Sequence, residues 1–504
     1  MIEPLQLLGE GIVRATTPEL LLATLIGVLV GLVVGVLPGI GPAAGTAIML
    51  PVAVGFGGAA AIAGLAGIYY GAMFGGAVTS ILLGIPGDAP SVMTVIDGHA
   101  MAKRGEAGRA LGMSVYASFI GGVIGIVLLA LLSVPVAQAA LAFGPTEMTA
   151  LMCFALSLVT VLGGRNIIKG FTALFLGMWV GMIGLDPIAG PTRYTFGFVA
   201  LFEGVEFTVI AVGLYGLSEI FVSLGQETKG TLERYSFKSL LPNLRDLIEC
   251  KAVLVWSSLV SFFVGVVPGV GATASTMLAY ATAKKYSTTP DEFGRGSIKG
   301  VAAPEAANNS ASYAAMIPLF ALGIPGSGTT AVLLGGLLMV GLQPGPLLFA
   351  TNPDFVWTVF GSFWIGNMML VVLTTLLIPV LASIVFISTA ILYPIVIGVV
   401  LLGVYSIHYA MSDVTIALIA GAIGFVMLKL DYSPVPLVLG LVLGPLLERG
   451  VRRTLIVSEG NLSIFWESPI ALGFFLLTLG VIFIPIAMNR VAAFRELRAI
   501  PPSQ

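Results

Sequence analysis

The 504-residue chain is 57% hydrophobic and 10% charged, with a mean hydropathy of +1.04, against about a quarter charged residues in an ordinary soluble domain. That balance excludes a soluble globular protein, and a formal net charge of -2 gives no reason to expect a nucleic-acid partner. The two cysteines, Cys153 and Cys250, form neither a disulfide framework nor a metal-ligand pattern and read as packing residues.

In chain order, residues 1–19 form an N-terminal segment with Glu3, Glu10 and Glu19 against Arg14. It lacks the basic region and small-residue cleavage site of a secretory signal, so the mature chain is expected to begin at or near Met1. Beyond it, apolar runs of spanning length, about 17–25 residues each, recur to the C-terminus. They are uniformly apolar, unlike the alternating segments of a membrane barrel. The predicted fold is an all-α polytopic membrane protein with about 10–12 membrane segments.

Two short motifs occur twice in the same order. "VGVLPGIG" at 34–41 returns as "VGVVPGVG" at 264–271, a shift of 230, and "LGIPG" at 83–87 returns at 322–326, a shift of 239. A weaker match pairs "ASFIGG" at 117–122 with "GSFWIGN" at 361–367. These repeats predict a first transmembrane repeat over 20–224, a polar linker over 225–251, a second transmembrane repeat over 252–447, and a C-terminal span with a basic tail over 448–504.

Pro38 and Pro268 remove an N–H and disfavour helix in the residue before them. The glycines of the tips Gly39-Ile40-Gly41 and Gly269-Val270-Gly271 permit tight turns and close approach of backbone to a ligand. Broken backbone at membrane depth survives only where protein or a watery cavity surrounds it, so paired breaks point to a binding site. Each break would start a new helix whose free N–H groups and dipole suit an anion. We therefore expect re-entrant or broken-helix hairpins at the PGxG and GIPG motifs; a simple kink or close helix packing is the alternative.

Lysine and arginine mark cytoplasmic loops. The basic groups around Lys103 to Arg109, at Arg165 and Lys169, from Lys229 to Lys251, and from Lys284 to Lys299 can all lie on one side if residues 252–283 enter the membrane and return. The N-terminus is then periplasmic, the C-terminus cytoplasmic, and the second repeat inverted. Arg449, Arg452 and Arg453 disagree, because this topology turns them outward.

Over nearly its whole length the chain resembles the TctA-type large permease subunit of tripartite tricarboxylate transporters. The resemblance rests on "GLVVGVLPGIG" at 31–41, "TVIDGHAMAKRGEAGRALG" at 94–112, "APEAANNSASYAAMIPLFALGIPGSGTTAVLLGGLL" at 303–338 and "GLQPGPLLF" at 341–349. The family's glycine-spaced pattern before PGxG is complete in the first half, whereas its leading glycine is Ser261 in the second; His99 stands where a tyrosine is common. The resemblance implies a carrier in the bacterial inner membrane that works with a small TctB-type membrane subunit and a periplasmic TctC-type solute-binding protein delivering carboxylates. It also implies uptake driven by an ion gradient.

On this basis the substrate-binding candidates are Gly39, Ile40, Gly41, Thr46, Gly87, Gly269, Val270, Gly271, Thr273, Ser275, Gly326 and Ser327, with Pro38, Pro86, Pro268 and Pro325 as hinges. Hydroxyls in membrane helices often bond their own backbone, which is the competing account of Thr46, Thr273 and Ser275. Asp88, Asn308, Asn309 and Ser310 are candidates for ion coupling, with helix capping as the alternative. Glu305 could hold a proton or sit in a loop. Asp97 and "KRGEAGR" read as a structured cytoplasmic loop. Neither hairpin carries a lysine or arginine, so a multiply charged substrate would need a co-bound sodium ion or proton; no other cofactor is expected.

An ATP-driven pump is disfavoured because no G-x-x-x-x-G-K-[ST] loop occurs. An enzyme is disfavoured because His99 and His408 are the only histidines and no H-E-x-x-H is present. An anion channel, or a carrier working without a binding protein, is the remaining rival.

Overall fold

The computed structural model describes residues 2–37, 40–162, 166–186, 190–224, 243–269, 271–384 and 389–499. Pro38, Gly39, Val270, Arg165 and the linker up to residue 242 lie outside the described residues. The helices in chain order are α1 (Ile2–Arg14), α2 (Pro18–Val36), α3 (Pro42–Val54), α4 (Gly58–Leu83), α5 (Val92–Lys103), α6 (Ala107–Ala140), α7 (Pro145–Leu162), α8 (Ile167–Gly181) and α9 (Phe207–Ser223). They continue with α10 (Leu244–Gly265), α11 (Gly271–Lys285), α12 (Ile298–Ala314), α13 (Met316–Leu322), α14 (Gly328–Met339), α15 (Leu348–Thr351) and α16 (Pro353–Ile384). The last are α17 (Thr389–His408), α18 (Met411–Lys429), α19 (Pro434–Val457), α20 (Ile464–Glu467) and α21 (Pro469–Ala499). A two-residue antiparallel pairing of Gly184–Leu185 with Thr192–Arg193 is the only strand structure among the described residues.

Among the described residues, eight helices are long and apolar enough to cross a membrane: α2, α4, α6, α7, α10, α16, α18 and α19. Shorter apolar helices include α3, α8, α9 and α14. The 10–12 segments expected from the sequence therefore require some of these shorter helices to enter the membrane. The described residues gather into two compact units, one of 1–141 with 205–434 and one of 142–204 with 435–504.

In the first unit, α2 is built to start and stop sharply. Pro18 occupies its first turn, where the missing N–H is harmless, and Glu19 suits the positive end of the helix. It ends at Val36 because Leu37 precedes a proline and takes an extended conformation, φ -84° and ψ 111°. Gly41 is extended and caps α3, with Pro42 again in the first turn. "LPGIGP" is thus one stop signal and one start signal in succession.

α2 and α4 pack backbone to backbone. A Cβ at Gly27 or Gly35 would meet the carbonyl oxygen of Gly64 or Ala72, and one at Gly31 would lie 2.8 Å from Ile68 Cα. From the other side, Gly71 and Gly75 face the carbonyls of Val28 and Leu32. This is the small-xxx-small packing of membrane helices, where bare glycines let dispersion act between main chains that water does not drive together.

The second half repeats the contact with different residues. Gly265 of α10 lies against Ala311 of α12, as Gly35 lies against Ala72. Ser257 and Ser261, at the positions corresponding to Gly27 and Gly31, are fully buried small residues on the same helix. The packing is also reciprocal: α4 and α2 pack on α16 of the second half, while α12 and α10 pack on α6 of the first. Gly121 of α6 meets the backbone of Ala306, and an aromatic cluster of Tyr70, Tyr313 and Phe363 joins α4, α12 and α16, with Tyr70 and Tyr313 centroids 4.3 Å apart.

The two halves are also tied by Asp97 on α5, which is fully buried. Its Oδ1 accepts the backbone N–H groups of Gly294, Gly296 and Ser297 at 2.9, 2.8 and 2.8 Å, and its Oδ2 accepts the Tyr280 hydroxyl at 2.8 Å. Arg104 donates to the Gly296 carbonyl at 2.6 Å. Asp97 thus lies inside a helix rather than in the expected loop, and from there it clamps the connection between α11 and α12. At the start of α6, Arg109 forks onto Asp246 of α10 at 2.8 and 2.7 Å.

The second unit holds α7, α8, α19 and α21. Gly177 and Gly440 bring α8 and α19 together, each facing the other helix's carbonyls. Arg452 donates to both oxygens of Asp186 at 3.1 Å and pairs with Glu448 at 2.7 Å, while Arg193 pairs with Glu448 at 2.8 Å. Of the arginine cluster that disagreed with the charge-based topology, Arg452 is thus engaged by two carboxylates.

Gly31→Leu forces a branched side chain into backbone and is expected to cost about 1–3 kcal/mol or more, read as a lowered melting midpoint of the purified protein. Asp97→Ala strips three N–H groups of their acceptor, at about 1–3 kcal/mol for the buried one of Ser297 and less for those of Gly294 and Gly296. It should expose 286–297 to limited proteolysis, whereas Tyr280→Phe, losing one hydrogen bond, should cost about 0.5–1.5 kcal/mol.

Candidate functional site

The two LGIPG motifs fold into the same turn. Gly84 ends α4 with φ 70° and ψ 19°, and Gly323 ends α13 with φ 70° and ψ 23°, a left-handed cap that a side chain would oppose. The proline two residues on cannot continue the helix. After the second glycine, Asp88 and Ser91 bond reciprocally, Ser91 N–H to Asp88 Oδ1 at 3.0 Å and Asp88 N–H to Ser91 Oγ at 3.2 Å. Ser327 and Thr330, each 239 positions further along, do the same at 3.2 and 2.8 Å in a capping box.

Within each half the two motifs touch. The Gly269 N–H donates to the Gly326 carbonyl at 2.9 Å, and Pro268 Cα lies 3.5 Å from where a Gly326 Cβ would be. In the first half, a Cβ on Gly87 would meet Gly76 Cα, the Gly35 carbonyl at 2.7 Å and Thr79 Oγ1 at 2.9 Å. The halves approach one another as well: Tyr69 of α4 lies beside Ser327 and in the field of Asp88, and the Tyr215 hydroxyl of α9 faces Gly328. Gly87, Asp88, Pro325 and Gly326 are buried, while Pro86 is exposed and Gly41, Pro268, Gly269, Gly271, Thr273 and Ser327 are half-buried.

The PGxG tips differ in detail. Gly269 and Gly271 take positive φ, 83° and 61°, where Gly41 is extended at φ -75°. Ile40 is buried and, with Leu37, Gly45 and Ile48, lines an apolar recess of about 340 Å³ between α2, α3 and α17. Ile40 therefore sits on an apolar wall.

The hydroxyls near the tips are committed to their own helices. Thr46 donates to the Pro42 carbonyl at 2.7 Å and Ser275 to the Gly271 carbonyl at 2.9 Å, while the Thr273 carbonyl accepts from Thr276 at 2.8 Å. A hydroxyl has a single proton, so Thr46 and Ser275 keep only lone pairs for a guest. Such oxygens suit a cation better than a carboxylate.

The ion-coupling candidates divide. Ser310 donates to the Ser258 carbonyl at 2.7 Å and serves to hold α12 on α10. Asn308 and Asn309 cap nothing, since they lie in the middle of α12. Among the described residues, both amide atoms of Asn308, Oδ1 of Asn309 and Oδ2 of Asp88 are buried without a hydrogen-bond partner. Glu305 lies in the interior of α12, 1% exposed, rather than in a loop.

Four buried tyrosines went unrecognised in the sequence. Tyr69, Tyr70, Tyr215 and Tyr313 are each at most 4% exposed, and the hydroxyls of Tyr70, Tyr215 and Tyr313 have no partner among the described residues. A tyrosine in an apolar run ordinarily reads as packing; the signal was its polar tip at a depth without water. His99 packs its ring on Gly84 and shares a hydrogen bond with the Ile81 carbonyl at 3.1 Å, so it braces the first left-handed cap.

A polytopic helical membrane protein with paired helix breaks and buried polar side chains between them has the make-up of a transporter. The chain belongs to the tripartite tricarboxylate transporter TctA family, whose model matches residues 21–439. It is a membrane transport subunit and not an enzyme. It is similar, at 37% identity over 488 residues and 97% of both chains, to an uncharacterized 52.8 kDa protein in the TAR-I ttuC' 3' region of Agrobacterium vitis. It is also similar, at 38% identity over 224 residues, to an uncharacterized protein in the TAR-II ttuC' 3' region of the same organism, covering 44% of this chain and 92% of that one. No solved structure matches the chain.

The two LGIPG glycines predict unequal mutants. Gly87→Ala pushes a methyl into Gly76 and the Gly35 carbonyl, and should lower stability by about 1–3 kcal/mol and abolish uptake in cells. Gly326→Ala meets one atom at 3.5 Å, ordinary contact, and should give folded protein in wild-type yield on size-exclusion chromatography.

Proposed function

We propose that this chain is the large permease subunit of a binding-protein-dependent secondary transporter that takes up tricarboxylates or related carboxylates. The observation that carries the proposal is the matched register of the breaks: left-handed caps at Gly84 and Gly323, and capping turns at Asp88–Ser91 and Ser327–Thr330, all 239 positions apart. Two inverted repeats account for this, and the reciprocal packing of α4 on α16 and α12 on α6 supports them.

In this reading the substrate lies near the bilayer midplane between the two broken-helix hairpins. Main-chain N–H groups at the starts of α3, α11 and α14 receive its carboxylates, because the hydroxyls of Thr46 and Ser275 have given up their protons. Gly41, Gly269, Gly271, Gly326 and Ser327 form the tips. The prolines at 86, 268 and 325 fix the corners about which the hairpins swing. Asp88, Asn308 and Asn309 supply unpaired polar groups for a coupling ion, sodium or a proton, which offsets the charge of the guest.

The partners are a small TctB-type membrane subunit and a periplasmic TctC-type binding protein. The membrane is the bacterial inner membrane, with the N-terminus periplasmic and the C-terminus cytoplasmic. The test is uptake of radiolabelled citrate and other carboxylates into vesicles reconstituted with all three proteins. Saturable uptake that requires the binding protein and falls at least tenfold when the sodium and proton gradients are both collapsed is the expected result. Uptake indifferent to both gradients, or non-saturating flux without the binding protein, would establish a channel instead.

A further inference from the structure

Two buried carboxylates in the first unit are held in opposite ways. Asp97 Oδ1 accepts from three backbone N–H groups, and its Oδ2 accepts the Tyr280 hydroxyl. A backbone N–H cannot accept a hydrogen bond, so Oδ1 is held as an acceptor only.

Glu305 has different company. Its Oε1 accepts the Thr94 hydroxyl of α5 at 2.5 Å, and its Oε2 accepts the Ser118 hydroxyl of α6 at 2.9 Å. Both partners belong to the first half, while Glu305 stands on α12 of the second. A hydroxyl is both donor and acceptor. If Glu305 takes a proton on Oε2, the new O–H donates to Ser118 Oγ and the Ser118 hydrogen rotates away. Either charge state then keeps a hydrogen bond between the two groups.

The charges around Glu305 leave it without a counter-ion. Asp88, beyond the first LGIPG turn, is the charged group whose field reaches it. Lys299 on its own helix is engaged by Glu249, Arg109 on α6 by Asp246, and Asp97 on α5 by Tyr280. One helical turn along, the Asn308 side chain is 1% exposed and has no partner among the described residues.

We propose that Glu305 is a proton-carrying residue of the transport cycle, loading and releasing one proton between the hydroxyls of Thr94 and Ser118. This rests on the reading of the chain as a gradient-driven carrier and selects the proton as its coupling ion. The O–H bond forms on a Glu305 carboxyl oxygen with a proton taken from water on one side of the membrane. The same bond breaks to return the proton to water on the other. Because the carboxyl joins α12 to α5 and α6, its loading is felt where the two halves meet.

The test uses the purified full chain in lipid vesicles, followed by infrared difference spectroscopy as the pH is lowered. The expected result is a protonated-carboxyl C=O band that grows with acid, is absent in Glu305→Gln, and returns at a shifted frequency in Glu305→Asp. Asp88→Asn should retain the Glu305 band. No such band in the wild type, or an unchanged band in Glu305→Gln, overturns the proposal. With the partner proteins added, a pH gradient alone should drive carboxylate uptake in the wild type and fail at least tenfold in Glu305→Gln; equal uptake by the two also overturns it. Should the three-protein vesicles show no gradient-driven uptake at all, the carrier reading falls, and the infrared titration still decides whether Glu305 exchanges a proton.

Discussion

Main chains in direct contact are the constraint on which the first unit depends. Where α2 meets α4, bare glycines leave no side chain between the helices at the crossing, and where α10 meets α12 only small ones, so the helices resist sliding or rotation. That rigidity permits the breaks that follow. A helix end leaves carbonyls and N–H groups unpaired, costly in an apolar medium, and packed backbone holds these ends near polar neighbours. Gly87 against the Gly35 carbonyl and Gly269 bonded to the Gly326 carbonyl are the two places where that support is direct.

Local rules made much of this legible beforehand. Prolines at helix stops and starts, glycines at left-handed caps, and a motif returning at a constant spacing act through neighbours in sequence, and Leu37, Gly84 and Gly323 obey them. The partners of Asp97 and Glu305, and the Asp246 on which Arg109 forks, lie more than 130 positions away, and nothing within a few residues of "IDGHA" announces that its carboxylate will gather three N–H groups from 294–297. Helix capping competed as the reading of Asn308 and Asn309 because amides often cap; burial in a helix interior is a tertiary fact. The serine at 261, an apparent departure from the glycine spacing, proves to be another small residue at a tight crossing.

The difference between the carboxylates follows one distinction. Three main-chain N–H groups make Asp97 Oδ1 an anchor, whereas Glu305 meets only hydroxyls, which can donate or accept. Hydroxyls whose protons are spent on their own helix, as at Thr46 and Ser275, become acceptors only. Polarity near the tips is thus sorted by direction: main-chain N–H groups donate, and hydroxyl lone pairs accept. The sequence names the polar atoms without showing which way their hydrogens point.

The Asp97 clamp bears on the order of assembly. Its carboxylate leaves the ribosome almost 200 residues before the N–H groups of Gly294, Gly296 and Ser297 that will surround it. Until they arrive, α5 must keep that charge in water, and so cannot seat fully against its neighbours. The first half therefore stays unfinished through synthesis of the linker and of α10 and α11, and the newly made second half closes it.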